Sequence, residues 1–199
     1  MISKRMTFKE YQRLAPATMA DLRIEELDGA HLTLGMFTEI GELQSQISLL
    51  LEGKTDDVDV TNVKEEVGDL LWYIACLCDL VGMDMEELAY TALAQNIEIP
   101  KDDLAKVWAK VIYYSSELAD DYKKRLAYKK MINRQKQTIY TAALIQTIEK
   151  GLCPLLKVDV HRAMFTNIAK LKERYGDKFV GLKAIKRDTA EERKILERE

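Results

Sequence analysis

The chain has 199 residues, 47% of them apolar, with 3 Pro, 9 Gly and a formal net charge of −3. That length supplies one large domain or two small ones with ample core, and the low Pro and Gly content favours a mostly helical globule. The longest apolar run, Leu70 to Leu80, is broken by Asp79 and is too short to span a bilayer, so no membrane partner is expected. No charged-then-apolar leader opens the sequence, so no secretory signal is expected either. Cys76, Cys78 and Cys153 lie in apolar helical pattern without CxxC spacing, which predicts reduced core thiols and a cytoplasmic location. His31 and His161 do not supply a zinc ligand set.

The predicted elements run as follows. Thr7, followed three residues on by Glu10, forms a capping box for a short helix over 8–15 that ends near Pro16. Residues 19–27 read as a second short helix or a loop. A long helix is predicted over about 31–52, stopped by Gly53, and another over about 63–81, capped by Thr61 or Asn62 and stopped by Gly82. A helix from Met83 to about Ile97 precedes Pro100. Further helices are predicted from Asp102 to about Arg125, from Asn133 to Lys150 before Gly151, and from Asp159 to near Gly176. A last one runs from Thr189 to the end, capped by Asp188 or Thr189. No stretch alternates with period two, so no strands are predicted.

Charge is unevenly placed. Residues 21–100 hold 18 acids against Arg23, Lys54 and Lys64, whereas residues 101–199 hold 23 basic and 14 acidic residues. Ordinary solvated helix faces account for this. So does an acidic half that holds metal beside a basic half that meets phosphates. The basic residues are interleaved with acids and form no known binding motif, so no nucleic-acid partner is expected.

Within the acidic half, Glu39-Ile-Gly-Glu42 and Glu66-Val-Gly-Asp69 each place two carboxylates three residues apart, on one face of a helix. Two helices joined by the short loop around Gly53–Asp57 pack antiparallel, so the four carboxylates face one another across one groove. Such a cluster requires a cation, and oxygen-only ligands favour Mg²⁺, with Mn²⁺ as the alternative. Glu65 points about 100° away from Glu66 on the helix and reads as an outer or exposed acid.

These acidic pairs resemble the signature of the MazG-like, all-α nucleoside triphosphate pyrophosphohydrolases. Gly53-Lys54, Asn62 and the run Gly68-Asp69-Leu-Leu-Trp72-Tyr73 sharpen the resemblance. A second run, Asn167-Ile-Ala-Lys170-Leu-Lys-Glu-Arg174-Tyr175, is similar to the end of the third helix in family members. The resemblance implies an all-α bundle and a Mg²⁺-dependent enzyme that converts a nucleoside triphosphate to monophosphate and pyrophosphate. It implies that Glu39, Glu42, Glu66 and Asp69 are the metal-binding and catalytic acids. Lys54, Trp72, Asn167, Lys170 and Arg174 are implied for substrate. Core packing is the plain alternative for Trp72 or Tyr73, and a basic helix end facing its own dipole is the alternative for the 167–174 run.

Sliding the chain by 75 residues aligns Cys78–Asp84 with Cys153–Asp159, Gly41-Glu42-Leu43 with Ser116-Glu117-Leu118, and Lys54 with Lys129. This predicts a catalytic module over 1–100 and a degenerate second copy over 101–199, packed together as one globule. In that register Tyr114, Glu117, Thr141 and Leu144 stand where the four acids stand, so the second copy is catalytically dead. Small family members are dimers. This chain is therefore expected to be a pseudo-dimer within itself, or a homo-oligomer. Two rival readings are a nucleotide-binding or regulatory relative that does not turn over, and a di-iron bundle. The second lacks its Glu-x-x-His pairs, since Asp28 and Val158 precede the two histidines by three.

Overall fold

The computed structural model describes residues 5–91, 98–185 and 188–197, and among these there are helices and no strands. Thr7 and Glu10 exchange the reciprocal bonds of a capping box and start α1 (Phe8–Leu14); Pro16 then tightens the chain into a 3₁₀ turn, Ala15–Thr18. α2 (Glu25–Leu51) begins six residues earlier than the apolar pattern predicts. Its first turn holds Glu25, Glu26 and Asp28, acids that suit a helix N-terminus, and Asp28 accepts a bond from the Leu22 amide.

α3 (Val60–Val81) is capped by Asp59, whose carboxylate takes the amides of Thr61 and Asn62. The expected caps, Thr61 and Asn62, are therefore inside the helix. α4 (Met85–Tyr90) starts from Asp84 and ends at extended Thr91, short of the helix predicted to run on to Ile97; residues 92–97, Ala92 among them, lie outside the described residues. α5 (Leu104–Tyr128) and α6 (Arg134–Thr147) are capped by Asp103 and Asn133.

Gly151 does not stop α6. The chain continues through a π turn, Ile148–Leu152, into α7 (Cys153–Leu155), and the wider turn accommodates Pro154. Gly151 instead permits close approach: a Cβ there would lie 2.9 Å from Ile99 and 3.2 Å from Val107. α8 (Val160–Tyr175), α9 (Gly181–Ile185) and α10 (Thr189–Glu197) complete the chain; α9 is too short to show a helical period in the sequence.

α2 packs along α3 and α5, α5 along α6, α3 against α8, and α4 against α6. The core lies between them, with Leu32, Met36, Leu70 and Ile74 fully buried, and all three cysteines are buried and free. Helix endings recur at a fixed interval. Gly82 and Lys157 both take left-handed backbone, with φ of 68° and 54°. At each, the next amide returns to a carbonyl five residues back, Met83 to Cys78 and Val158 to Cys153, and an aspartate then caps the following helix. No helix among the described residues is long and apolar enough to cross a membrane.

Two α2 glycines separate packing from propensity. A Cβ on Gly29 would fall 1.8 Å from the Tyr122 ring, whereas Gly41 is exposed with nothing within 4 Å. Gly29→Ala is expected to destabilise the fold by about 1–3 kcal/mol through overpacking. Gly41→Ala is expected to stabilise it by about 0.5–1 kcal/mol through helix propensity. Urea unfolding of the two variants checks both signs.

Candidate active site

α2 and α3 run antiparallel, and their facing stripes form one groove. His31, Gly35, Glu39 and Glu42 follow one another on α2; Glu66, Asp69 and Tyr73 do so on α3. Carboxylate oxygens of Glu39, Glu42 and Glu66 all lie within 4.8 Å of one another. The cleft above them has a volume of about 360 Å³ and is closed on the other side by Leu171, Arg174 and Tyr175 of α8, with Phe179 beyond.

Glu66 is buried, and Asn62 Nδ2 donates to its Oε1 at 2.6 Å. This is the use the chain makes of Asn62 in place of capping. Burial, first of all, raises the carboxyl pKa of both Glu39 and Glu66; the nearby charge of Asp69 adds to it, and the two acids share a hydrogen bond. Without a cation, the pair therefore retains protons that isolated carboxylates would lose.

Asp69 is held differently. Its Oδ1 accepts from Asn167 Nδ2 and its Oδ2 from Lys170 Nζ, each at 2.5 Å, and Lys170 also reaches Glu65 at 3.1 Å. Lys170 is fully buried; burial opposes its charge, but Asp69 and Glu65 outweigh that and raise its pKa. Asn167 is oriented in turn by Tyr11, whose hydroxyl shares its one proton between Asn167 Oδ1 at 2.8 Å and the Gly68 carbonyl at 3.0 Å. The α3–α8 approach needs Gly68: a Cβ there would lie 3.1 Å from Asn167 Cβ and 3.2 Å from the Ala163 carbonyl.

The expected substrate residues divide accordingly. Arg174 lines the cleft. Lys170 and Asn167 do not present themselves to a substrate, because their polar ends are spent on Asp69 and both are buried. Lys54 lies outside the cleft, on the exposed loop after α2, paired with Glu52 at 2.7 Å. Trp72 borders the cleft, but its Nε1 donates to the Ala15 carbonyl at 3.0 Å and Thr18 Oγ1 at 3.1 Å, which fixes it to the N-terminal turn.

Sequence reasoning missed Tyr11 and His31 and left Tyr73 open between packing and base contact. Tyr11 is buried beside Phe8 on the short helix α1, with nothing local to mark its long-range bond. His31 lines the cleft, and its ring meets that of Tyr73 edge-on with centroids 6.1 Å apart. Tyr73 lies over Gly35, where a Cβ would be 2.1 Å from its ring, and it borders the cleft one helical turn beyond Asp69. The α2 spacing His31–Gly35–Glu39 was the available signal for that aromatic extension.

An all-α groove with an all-oxygen acidic cluster defines a class of candidate metal-dependent phosphate enzymes. Residues 29–100 match the MazG nucleotide pyrophosphohydrolase domain family. The resemblance seen in the motif residues is thus borne out over that stretch; the rest of the chain lies beyond the match. No curated protein and no solved structure matches the chain significantly.

The raised acids set a pH dependence. Folded protein binds more protons than unfolded chain from the ordinary carboxylate range up to the raised values, so stability without metal is present at low pH and falls as pH rises through that window. Glu66→Gln is expected to flatten this fall and to raise Tm at pH 8 in the presence of a chelator, as measured by thermal melts from pH 5 to 8.

Proposed function

We propose that this protein is a divalent-metal-dependent hydrolase that cleaves a nucleoside triphosphate, or a related nucleotide, to a monophosphate and pyrophosphate. The observation that carries the reading is the convergence of Glu39, Glu42 and Glu66 within 4.8 Å at the floor of a cleft, inside the stretch that matches the pyrophosphohydrolase family. Their oxygen-only donors, two of them with pKa values raised by burial and by neighbouring acids, fit a hard divalent cation such as Mg²⁺ or Mn²⁺. Asp69 stands beside them as the fourth acid. When bound, the ion supplies positive charge for phosphate oxygens and lowers the pKa of water.

The residues then have distinct tasks. Asn167 and Lys170 fix both oxygens of Asp69, and Asn62 fixes Glu66, so little reorganisation is needed when substrate arrives. Glu39 or Glu42 takes a proton from the attacking water as its oxygen bonds to the α-phosphorus and the bond to the bridging oxygen breaks. Arg174 balances charge on the departing pyrophosphate. Tyr73, Tyr175 and Phe179 offer aromatic faces to the nucleobase at the far end of the cleft.

The same proposal extends to the rest of the chain: residues 101–199 are a degenerate second copy of the module over 1–100. Support comes from the paired endings at Gly82 and Lys157, and from reciprocal packing in which α3 meets α8 as α6 meets α4. Beside Glu117, the residue in register with Glu42, the ammonium of Lys136 lies 3.0 Å from that carboxylate and 3.1 Å from Asp121. A side-chain cation neutralises the acids there.

Incubation with a panel of nucleotides and Mg²⁺, with the products separated, tests the activity. Pyrophosphate release is expected; orthophosphate release means another hydrolase, and no release means a binding protein. Glu42→Gln and Asp69→Asn are each expected to lower kcat by at least about 10²-fold with helical content unchanged. Tyr11→Phe, which frees the Asn167 amide to rotate, is expected to weaken Mn²⁺ affinity several-fold in calorimetry without nucleotide.

A further inference from the structure

Arg174 is the only lysine or arginine among the described residues that line the cleft, and it is already engaged. Its Nε donates to Glu192 Oε1 at 2.7 Å and its Nη2 to Oε2 at 2.5 Å. This is the two-pronged geometry in which a guanidinium takes a phosphate. The pair is withdrawn from water, with the side chains 11% and 5% exposed. Glu192 thus presents to Arg174 the same kind of oxygen pair that a polyphosphate would bring.

Glu192 is carried by α10, which packs on α8 and α3. That helix has nine residues, too few to be stable alone. Besides Glu192, its principal attachments are the buried Leu196 and the exposed pair between Arg193 and Asp59, at 2.9 and 3.2 Å. Two charge pairs are thus part of its hold on the bundle, and one of them uses the cation that faces the cleft.

We propose that α10 is a displaceable strap: Glu192 occupies the phosphate position of Arg174 until a polyphosphate chain takes its place. Glu192 is then an affinity-setting residue. A carboxylate carries one charge, whereas a terminal phosphate carries up to about two, so a chain long enough to set its end on Arg174 competes with Glu192. Once pyrophosphate has left, the carboxylate returns. The inference rests on the nucleotide polyphosphate reading of the cleft.

Hydrogen exchange of amides 189–197, with and without inorganic tripolyphosphate and Mg²⁺, tests it. Protection is expected to fall when tripolyphosphate binds. Glu192→Gln is expected to tighten tripolyphosphate binding by about three- to tenfold, because the competing state no longer reduces the competent fraction. Arg193→Gln, which cuts the other anchor and leaves Arg174 and the acids intact, is expected to act in the same direction. In an Arg174→Gln background, Glu192→Gln is expected to add nothing; a merely structural pair, which would hold Arg174 in place, would instead make Glu192→Gln weaken binding in the wild-type background. If tripolyphosphate binds while α10 keeps its protection and both variants bind as the wild type does, the strap is wrong and the hydrolase reading stands. If no variant binds tripolyphosphate at all, both readings fall.

Discussion

The site depends on a buried ammonium. Lys170 is fully enclosed, and an isolated charge there would carry a large desolvation cost. Two carboxylates from α3 meet it, Asp69 and Glu65, so the contact that neutralises Lys170 also fastens α8 to α3. Asp69 acquires a set orientation as a by-product of core formation. Gly68 between the acids lets the two helices approach closely enough for this bond, and Tyr11 locks the neighbouring amide from a third helix. Electrostatic repulsion among the remaining acids is left for the groove, where burial accentuates it.

What could be read in the sequence follows the range of the interactions. Local ones were legible: the Thr7–Glu10 box, the Gly82 stop, and the helix starts at Asn133 and Asp159 each involve residues a few positions apart. The i,i+3 acids were legible because a helix alone places them on one face. Long-range choices were not. Nothing near Lys170 shows that its ammonium will find Asp69 rather than solvent, since an exposed basic helix end has the same composition. Lys54 misled for a related reason: the motif around it is local, but the loop directs its side chain to Glu52. Gly151 looked like a helix stop because sequence does not distinguish a glycine needed for left-handed backbone from one needed for close packing.

The two halves place their charges in different ways. In the first, carboxylate oxygens of Glu39, Glu42 and Glu66 crowd within 4.8 Å of one another. In the second, Lys136 sits between Glu117 and Asp121, with the ring of Tyr140 5.5 Å from its ammonium. One arrangement keeps a demand for positive charge open, and the other satisfies it with a side chain.

The Tyr11–Asn167–Asp69 chain of bonds bears on what counts as a unit in this protein. Three of the four acids depend only on α2 and α3 for their position, yet the fourth is oriented by residues 58 positions before and 98 positions after it in the sequence. The stretch that matches the family, 29–100, contains every acid but neither Tyr11, Asn167 nor Lys170. Cut out by itself, it would expose the α3 surface that α8 covers and leave Asp69 free to turn. The family motif is therefore smaller than the object that folds, and an excised motif would be a set of ligands without the frame that aims them.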